Sequence, residues 1–294
     1  MGRQVWTGLD GVRAIGVIAV VLYHASLGFS VNGYVGVDIF FALSGFLITW
    51  LLVAERERTG RVSISDFYAR RGLRLLPALM VTLAMVSFLS IASERPGVIL
   101  RGALASLLYV SNWWKFTGHD MPLLDHTWTL AIEEHFYLIW PLLVLLGSSR
   151  SRARRVPALV LGVALIVVMV LPWAPSVALV KGTYLRGVSI LLGSLLAVGM
   201  YFRPPVGRTA RLLGPLAGLS CVLLVAVTVT WVALPIRWMS GITSVPAWLT
   251  LVLVAASVAA PQSRVVRACP ACPFAGSVGG PTGSTSITSP CSVC

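Results

Sequence analysis

The 294-residue sequence has few charged residues, and its acidic residues are both scarcer and more unevenly placed than its basic ones. Charged side chains make up 11% of the chain, whereas a soluble globular domain carries about 25%. Asp and Glu number 10 against 23 Lys and Arg, and none follows Glu134. The scarcity of charge excludes an ordinary soluble domain. The acidic distribution confines any chemistry that needs a carboxylate to the first half of the chain.

Apolar residues take the place of the missing charge. Hydrophobic residues make up 57% of the chain and the mean hydropathy is +0.86, which is more than a single core of this length can hide from water. Roughly 20 apolar residues span the hydrocarbon of a bilayer. The runs that approach this length are about 12–29, 35–54, 75–93, 127–147, 157–173, 184–202, 212–231 and 244–260. The predicted fold class is therefore all-α, a polytopic transmembrane helix bundle with about eight spans.

Arginine-rich segments between these runs set the predicted orientation. The clusters lie at 55–74, 148–156, 203–211 and 264–267. With eight crossings and a cytoplasmic N-terminus, all of them fall on the inner side, as the positive-inside rule expects. The stretch 98–112 is short and carries Arg101, and counting it as a crossing would place one cluster outside. We therefore predict that residues 94–126 form an outer segment with an interfacial or re-entrant piece.

Charged and imidazole side chains at membrane depth are costly and usually functional. Arg13 and His24 are eleven residues apart in the first run, so they project from one helix face, roughly 16 Å apart along the axis. Asp38 and Glu133 (with Glu134 beside it) lie a few residues inside the outer ends of the second and fourth spans. We expect His24, Asp38 and Glu133 to lie within roughly 10 Å of the outer boundary.

This set of residues predicts acid–base chemistry on a hydroxyl. A neutral imidazole near pH 7 can take the proton of a hydroxyl that attacks an acyl carbonyl, and a carboxylate at its other nitrogen would fix the tautomer. Structural roles are the alternatives: His24 bonding a neighbouring helix, Arg13 anchoring the inner end, and Asp38 pairing with an arginine. A proton-coupled transporter is the alternative from another class, although it should show an internal repeat and none is visible.

Four stretches around these residues carry distinctive motifs. They are LDGVRAIGVIAVVLYHA (9–25), GVDIFFALSGFLI (36–48), FYARRGLRLLPAL (67–79) and TWTLAIEEHFYLIWP (127–141). Together they resemble acyltransferase family 3, the integral membrane family of O-antigen and peptidoglycan O-acetylases. The first contains the family's arginine–ten residues–histidine pattern, and the third contains its arginine–two residues–arginine pattern. The resemblance covers about half of the chain densely.

The resemblance implies transfer of an acyl group, usually acetyl, from cytoplasmic acyl-CoA to a hydroxyl. His24 matches the catalytic histidine and Glu133 matches the acidic position of the fourth motif, with Asp38 as a further candidate catalytic acid. Residues linked to the handling of CoA are matched by arginines, whose guanidinium groups bind phosphate bidentately. The candidate CoA-binding residues are Arg13, Arg70, Arg71 and Arg74. The alternative is that the basic loop around Arg71 only obeys the positive-inside rule.

The Ser-Gly-Phe-Leu motif of the family is matched by Ser44, Gly45, Phe46 and Leu47, and Gly45 would allow close helix contact. A covalent acyl-enzyme on a serine stays open, although Ser26 and Ser44 lack the Gly-x-Ser-x-Gly setting of a soluble hydrolase.

The expected partners follow from the family. We expect a multi-pass protein of the bacterial inner membrane that uses acyl-CoA as donor substrate, with no permanently bound cofactor, no metal and no nucleic acid. A glycan, a glycolipid or a macrolide-type compound is compatible as acceptor, in keeping with O-acetylation in the cell envelope.

The composition changes sharply after Ala260. We expect residues 1–260 to form a membrane acyltransferase domain and 261–294 to form a disordered tail rich in Pro, Gly, Ser, Thr and Cys. The tail holds two cysteine pairs with 18 residues between them, a spacing that fits a zinc ribbon, but its apolar content is too low for strands. The cysteines are Cys269, Cys272, Cys291 and Cys294.

A frame slip near 261–268 explains the tail better. Members of the family continue with two more spans, about ten in all, and a Tyr-Leu-Tyr/Trp-His-x-Pro motif. Permitted codons for Ser284–Cys291, read one base earlier, spell Tyr-Leu-Tyr-His-Phe-Pro-Val. We therefore predict a C-terminally incomplete acyltransferase with an out-of-frame tail, and an inactive product is an alternative to an active one.

Overall fold

The computed structural model describes residues 7–25, 33–147, 183–229 and 244–259. Within these ranges the chain forms nine α-helices and no strand, which confirms the all-α fold class. The helices are α1 (Thr7–His24), α2 (Tyr34–Thr59), α3 (Ile64–Leu89), α4 (Pro96–Leu107), α5 (Ser111–Phe116), α6 (Thr127–Gly147), α7 (Thr183–Phe202), α8 (Arg208–Val229) and α9 (Val245–Ala259). A short 3-10 turn, Ser90–Ala92, extends α3.

Four of the described helices, α2, α3, α6 and α8, are long and apolar enough to cross a membrane. The predicted spans at 12–29, 184–202 and 244–260 correspond to the shorter or less apolar helices α1, α7 and α9. Large apolar side chains of α3 face outward, with Leu73 79% and Phe88 73% exposed, as expected of a helix in contact with lipid. The predicted span 157–173 lies outside the described residues. The chain is a multi-pass membrane protein.

The basic segment between the second and third spans is helical rather than a loop. α2 continues to Thr59, where Gly60 adopts a left-handed conformation (φ 73°) and closes the helix by donating its N–H to the Arg56 carbonyl. α3 then begins at Ile64, where the Ser63 side chain accepts a hydrogen bond from the Asp66 N–H. The expectation of a basic loop at Arg70, Arg71 and Arg74 is wrong, because these caps place the three arginines inside α3.

The chain between α3 and α6 returns to the side of the bundle from which it starts. The Tyr68 hydroxyl of α3 donates to the Leu138 carbonyl of α6, and Arg71 pairs with Glu134. Residue numbers thus rise along α3 as they fall along α6, so the two helices are antiparallel. Residues 94–126 therefore make no net crossing, as the arginine distribution predicts. We call the end of the bundle that carries His24 and the start of α6 the outer end.

The outer segment is a helical hairpin packed on two other helices. Apolar side chains of α4, including Ile99 and Ala103, bury against Leu83 and Val86 of α3. The hydroxyls of Ser106 and Ser111 bond to the hydroxyl and carbonyl of Thr127, the first residue of α6. These contacts fix the short helices α4 and α5 to the outer end.

Helix α2 lies at the centre and contacts α1, α6, α7, α8 and α9. Its closest approach is to α7, where a Cβ added at Gly45 would lie 1.9 Å from the Ile190 carbonyl oxygen, and one added at Gly193 would lie 2.0 Å from that of Ala42. Only glycine fits at either position. This contact fixes the helix that carries Asp38 and Ser44.

Candidate active site

A network of polar side chains connects α2, α3 and α6 within the membrane span. The Ser44 hydroxyl donates to Glu133 Oε1 at 2.8 Å, and Tyr137 lies one turn further along α6. Tyr137 is almost fully buried. Carboxylates in a membrane interior need such partners. Glu133 is therefore held by the serine of the Ser-Gly-Phe-Leu motif.

Arg71 of α3 contacts two residues of α6, Glu134 and Tyr137. Its Nε lies 3.2 Å from Glu134 Oε1, and the side chains of the pair are only 18% and 20% exposed. Its guanidinium carbon lies 3.1 Å from the centroid of the Tyr137 ring. Arg71 is thus already occupied by a carboxylate and an aromatic face, which makes it a poor match for the predicted phosphate ligand.

Arg70 and Arg74 differ from Arg71 in their surroundings. Both side chains are exposed, and they lie one turn apart on α3. Within the described residues neither takes part in an ion pair, although Arg74 acts electrostatically on Glu133. These two guanidinium groups are therefore available for an anionic ligand.

Arg13 lies on α1 and is paired within its own helix. Its Nη1 lies 2.5 Å from Asp10 Oδ1, one turn earlier, and both side chains are partly exposed. Sequence reasoning missed Asp10, although the three-residue spacing in the same helix indicates such a pair. An anion that binds Arg13 would have to compete with this carboxylate.

His24 ends α1 at the outer end and is exposed. Its Nδ1 lies 2.8 Å from the Val20 carbonyl oxygen. Because a carbonyl can only accept, the hydrogen belongs on Nδ1, and Nε2 carries the free lone pair. The predicted carboxylate partner is thus replaced by a backbone carbonyl one turn earlier.

The helix contacts place His24, Asp38 and Glu133 at successive depths from the outer end rather than at one depth. Gly16 of α1 lies against Ile39 of α2. Counting helix rise from that contact, and then from Asp38 to Ser44, which binds Glu133, places His24 about 10 Å from Asp38 and about 20 Å from Glu133 along the bundle axis. His24 lies at the outer end of α1, beside Tyr23, which packs against Gly33 just before α2, whereas Asp38 and Glu133 lie further along their helices.

Asp38 is fully buried between three helices. Its Oδ1 accepts a hydrogen bond from Ser189 of α7 at 3.0 Å, and its Oδ2 accepts one from Ser244, just before α9, at 2.9 Å. This arrangement joins α2, α7 and α9 rather than orienting His24. The predicted catalytic role of Asp38 is not supported by these contacts.

Sequence reasoning also missed His126, the residue before α6. Partial desolvation and, secondarily, the nearby His24 lower the pKa of His126. A second imidazole therefore lies at the outer end within electrostatic range of His24. Among the residues that the structure describes, no group of three or more His, Cys, Asp or Glu is placed to hold a metal ion.

Comparison with known proteins identifies the family. The family model described as an acyltransferase domain, that of acyltransferase family 3, matches residues 6–276. The chain belongs to acyltransferase family 3. The match includes every motif of this site and extends into the segment after Ala260, which lies outside the described residues.

The chain is similar in sequence to proteins named as O-acetyltransferases. The chain is 35% identical over 243 residues to the peptidoglycan O-acetyltransferase OatA of Listeria monocytogenes, covering 75% of this chain and 39% of that protein. It is 36% identical over 205 residues to the O-acetyltransferase OatA of Staphylococcus aureus, covering 65% and 34%. The chain thus spans just over a third of the length of these relatives. No solved structure is significantly similar to it.

Proposed function

We propose that this family 3 member transfers an acyl group, in the first instance acetyl, from acyl-CoA at the inner side to a hydroxyl of an extracytoplasmic or lipid-linked carbohydrate. Support comes from the family and from the separation between two groups of residues. Arg70 and Arg74 lie near the depth of Glu133, and His24 lies about 20 Å further outward. An extended pantetheine arm with its diphosphate reaches roughly 16–18 Å, about the length of five extended residues. Because Arg74 lies three residues, about 5 Å, outward of Arg71 on α3, this reach lets one acyl-CoA place its phosphates at Arg74 and its thioester close to His24.

The donor binds through charge in this proposal. Guanidinium groups form charge-assisted hydrogen bonds with phosphate oxygens, and Arg70 and Arg74 are free to do so. Arg71 acts indirectly, by holding Glu134 and Tyr137 where α3 meets α6. Arg13 would contribute only by exchanging Asp10 for phosphate.

The chemical step uses His24 as general base. Nε2 takes the proton of the acceptor hydroxyl as its oxygen attacks the thioester carbonyl. The carbon–sulfur bond breaks, an oxygen ester forms, and the proton passes from the imidazolium to the departing thiolate. In the neutral imidazole, the hydrogen bond from Nδ1 to the Val20 carbonyl selects the tautomer whose lone pair is on Nε2.

The proposal also specifies the acceptor and the orientation of the chain in the membrane. The name of the Listeria monocytogenes relative, a peptidoglycan O-acetyltransferase, favours a cell-envelope glycan over a glycolipid or a macrolide-type compound. The arginine distribution favours a cytoplasmic N-terminus in a bacterial inner membrane.

The test supplies labelled acetyl-CoA to membranes that contain the full chain and follows the label by mass spectrometry of glycans and lipids. We expect acetyl esters with the wild-type chain and at least a 100-fold slower rate with His24→Asn, because general base catalysis contributes about 10²–10⁴-fold. Asn can keep the hydrogen bond to Val20 while it lacks the basic nitrogen, so equal thermal stability serves as the folding control. Equal ester formation by both proteins would contradict the proposal.

A further inference from the structure

The outer segment lines an open pocket of about 240 Å³. Its lining comes from the first half of α4, from α5 and from the chain that follows α5, namely Val98, Arg101, Trp114, Gly118, His119 and Asp120. Drug-sized ligands occupy sites of about 300–1,000 Å³. The pocket therefore has room for a single ring rather than for an extended molecule.

Two aromatic rings form one side of this pocket. The His119 imidazole stacks on the Trp114 indole, with centroids 4.2 Å apart and planes at 23°. His119 Nδ1 lies 2.9 Å from the Thr117 hydroxyl oxygen, and Gly118 turns the chain with a φ of 85° that side chains rarely adopt. The stacked pair thus presents a fixed, flat surface that suits the apolar face of a sugar ring.

The charged groups of the pocket are not balanced. Asp120 lies 3.8 Å from Arg95, outside the pocket lining. Arg101, on the pocket wall, is exposed and takes part in no ion pair within the described residues. The wall therefore offers a carboxylate that can accept from a hydroxyl and a guanidinium that can bind an anion bidentately.

We propose that this pocket binds one sugar ring of the acceptor, a sugar that carries a carboxylate. The ring lies against Trp114 and His119, a ring hydroxyl donates to Asp120, and Arg101 binds the carboxylate. This inference rests on the proposed function, which supplies the acceptor, and the pocket lies on the outer segment, whose His126 is within electrostatic range of His24. Donor phosphates would then bind Arg70 and Arg74, and the acceptor sugar would bind Arg101.

The test measures sugar binding without any donor. Purified full-length protein in detergent is titrated with glucuronic acid and with glucose, and bound sugar is detected by saturation-transfer NMR. We expect wild-type protein to bind glucuronic acid at least about 10-fold more tightly than glucose, the equivalent of about 1.4 kcal/mol. Arg101→Gln should remove that preference, Arg101→Lys should keep part of it, and Arg203→Gln, an exposed arginine elsewhere, should not affect it.

The results separate this inference from the proposed function. No preference for glucuronic acid in the wild type, or a preference that survives Arg101→Gln, would overturn the sugar site. His24→Asn should bind the sugars as the wild type does, because His24 does not line the pocket. A labelling experiment that contradicts His24 as the general base would therefore leave the sugar-binding result unchanged.

Discussion

At the scale of single residues, neighbouring arginines on α3 differ in what they already bind. Arg71 is held by Glu134 and Tyr137, whereas Arg70 and Arg74 are exposed. A sequence motif cannot make this distinction, because the partners come from α6. The spacing of Arg13 and His24 was predictable from helix geometry, but the tautomer of His24 depends on a local backbone carbonyl that no motif includes.

Replacing the exposed arginines should affect donor binding alone. We expect Arg70→Gln and Arg74→Gln each to raise the KM for acetyl-CoA about 10-fold, since a hydrogen bond to a charged group contributes about 1.5–3 kcal/mol. Thermal stability should not change. Arg71→Gln should instead lower stability by about 2 kcal/mol, because it leaves Glu134 without its cation. Initial rates and thermal unfolding measure the two effects. A raised KM with unchanged stability in Arg71→Gln would contradict this division.

The lowered pKa of His126 predicts a pH dependence of stability. An unfolded histidine has a pKa of about 6.5, so the unfolded chain takes up the proton first as the pH falls. The contribution of His126 to stability is complete above that value and is lost as the pH drops from about 6.5 through the folded pKa. Thermal unfolding at pH 7.5 and at pH 5.5 should therefore show a smaller acid-induced loss for His126→Asn than for wild type. An identical acid-induced loss of stability in the two proteins would contradict the lowered pKa of His126.

At the scale of helices, the sequence predicted which segments are helical better than where they begin. Hydropathy placed the third span at 75–93 because the arginines before it are polar, whereas the capping residues Ser63 and Gly60 extend the helices across that region. Contacts between distant elements, such as Asp38 with Ser189 and Ser244, depend on the packing of three helices. Helix periodicity alone does not give that packing.

The close contact between α2 and α7 predicts that replacing a glycine of α7 lowers stability at one position and not at another. Gly193→Ala would bring a Cβ against the Ala42 carbonyl and should cost at least about 3 kcal/mol, the upper range for overpacking. Gly199, on the same helix, has no described atom within 4 Å of the corresponding Cβ position. Gly199→Ala should be neutral or stabilise by about 1 kcal/mol through helix propensity. Unfolding curves in detergent compare the two, and equal stability would contradict this close contact.

At the scale of the whole molecule, the antiparallel arrangement of α3 and α6 supports the predicted outer location of residues 94–126. The predicted frame slip concerns residues outside the described ranges and stays a prediction. The direction of the bundle in the membrane rests on the arginine distribution.

Cysteine labelling tests that direction. In a background with the native cysteines replaced by serine, we expect Glu94→Cys to react with a membrane-impermeant maleimide in intact cells. Arg61→Cys, between α2 and α3, should react only after permeabilisation, because the two turns lie at opposite ends of α3. Labelling of both positions in intact cells would contradict the proposed orientation.

The most direct test of the central claim compares two acetyl donors, acetyl-CoA, which carries phosphates, and S-acetylcysteamine, which carries none. We predict that the kcat/KM of the wild-type protein is at least about 100-fold higher with acetyl-CoA than with S-acetylcysteamine. Each of the two phosphate-binding arginines contributes about 10-fold to this difference. The double variant Arg70→Gln, Arg74→Gln should lose that advantage and keep its activity on the short donor, whereas His24→Asn should lose activity on both. Equal losses on both donors in the arginine variant, or full activity in His24→Asn, would contradict a donor that spans from the arginines to the histidine.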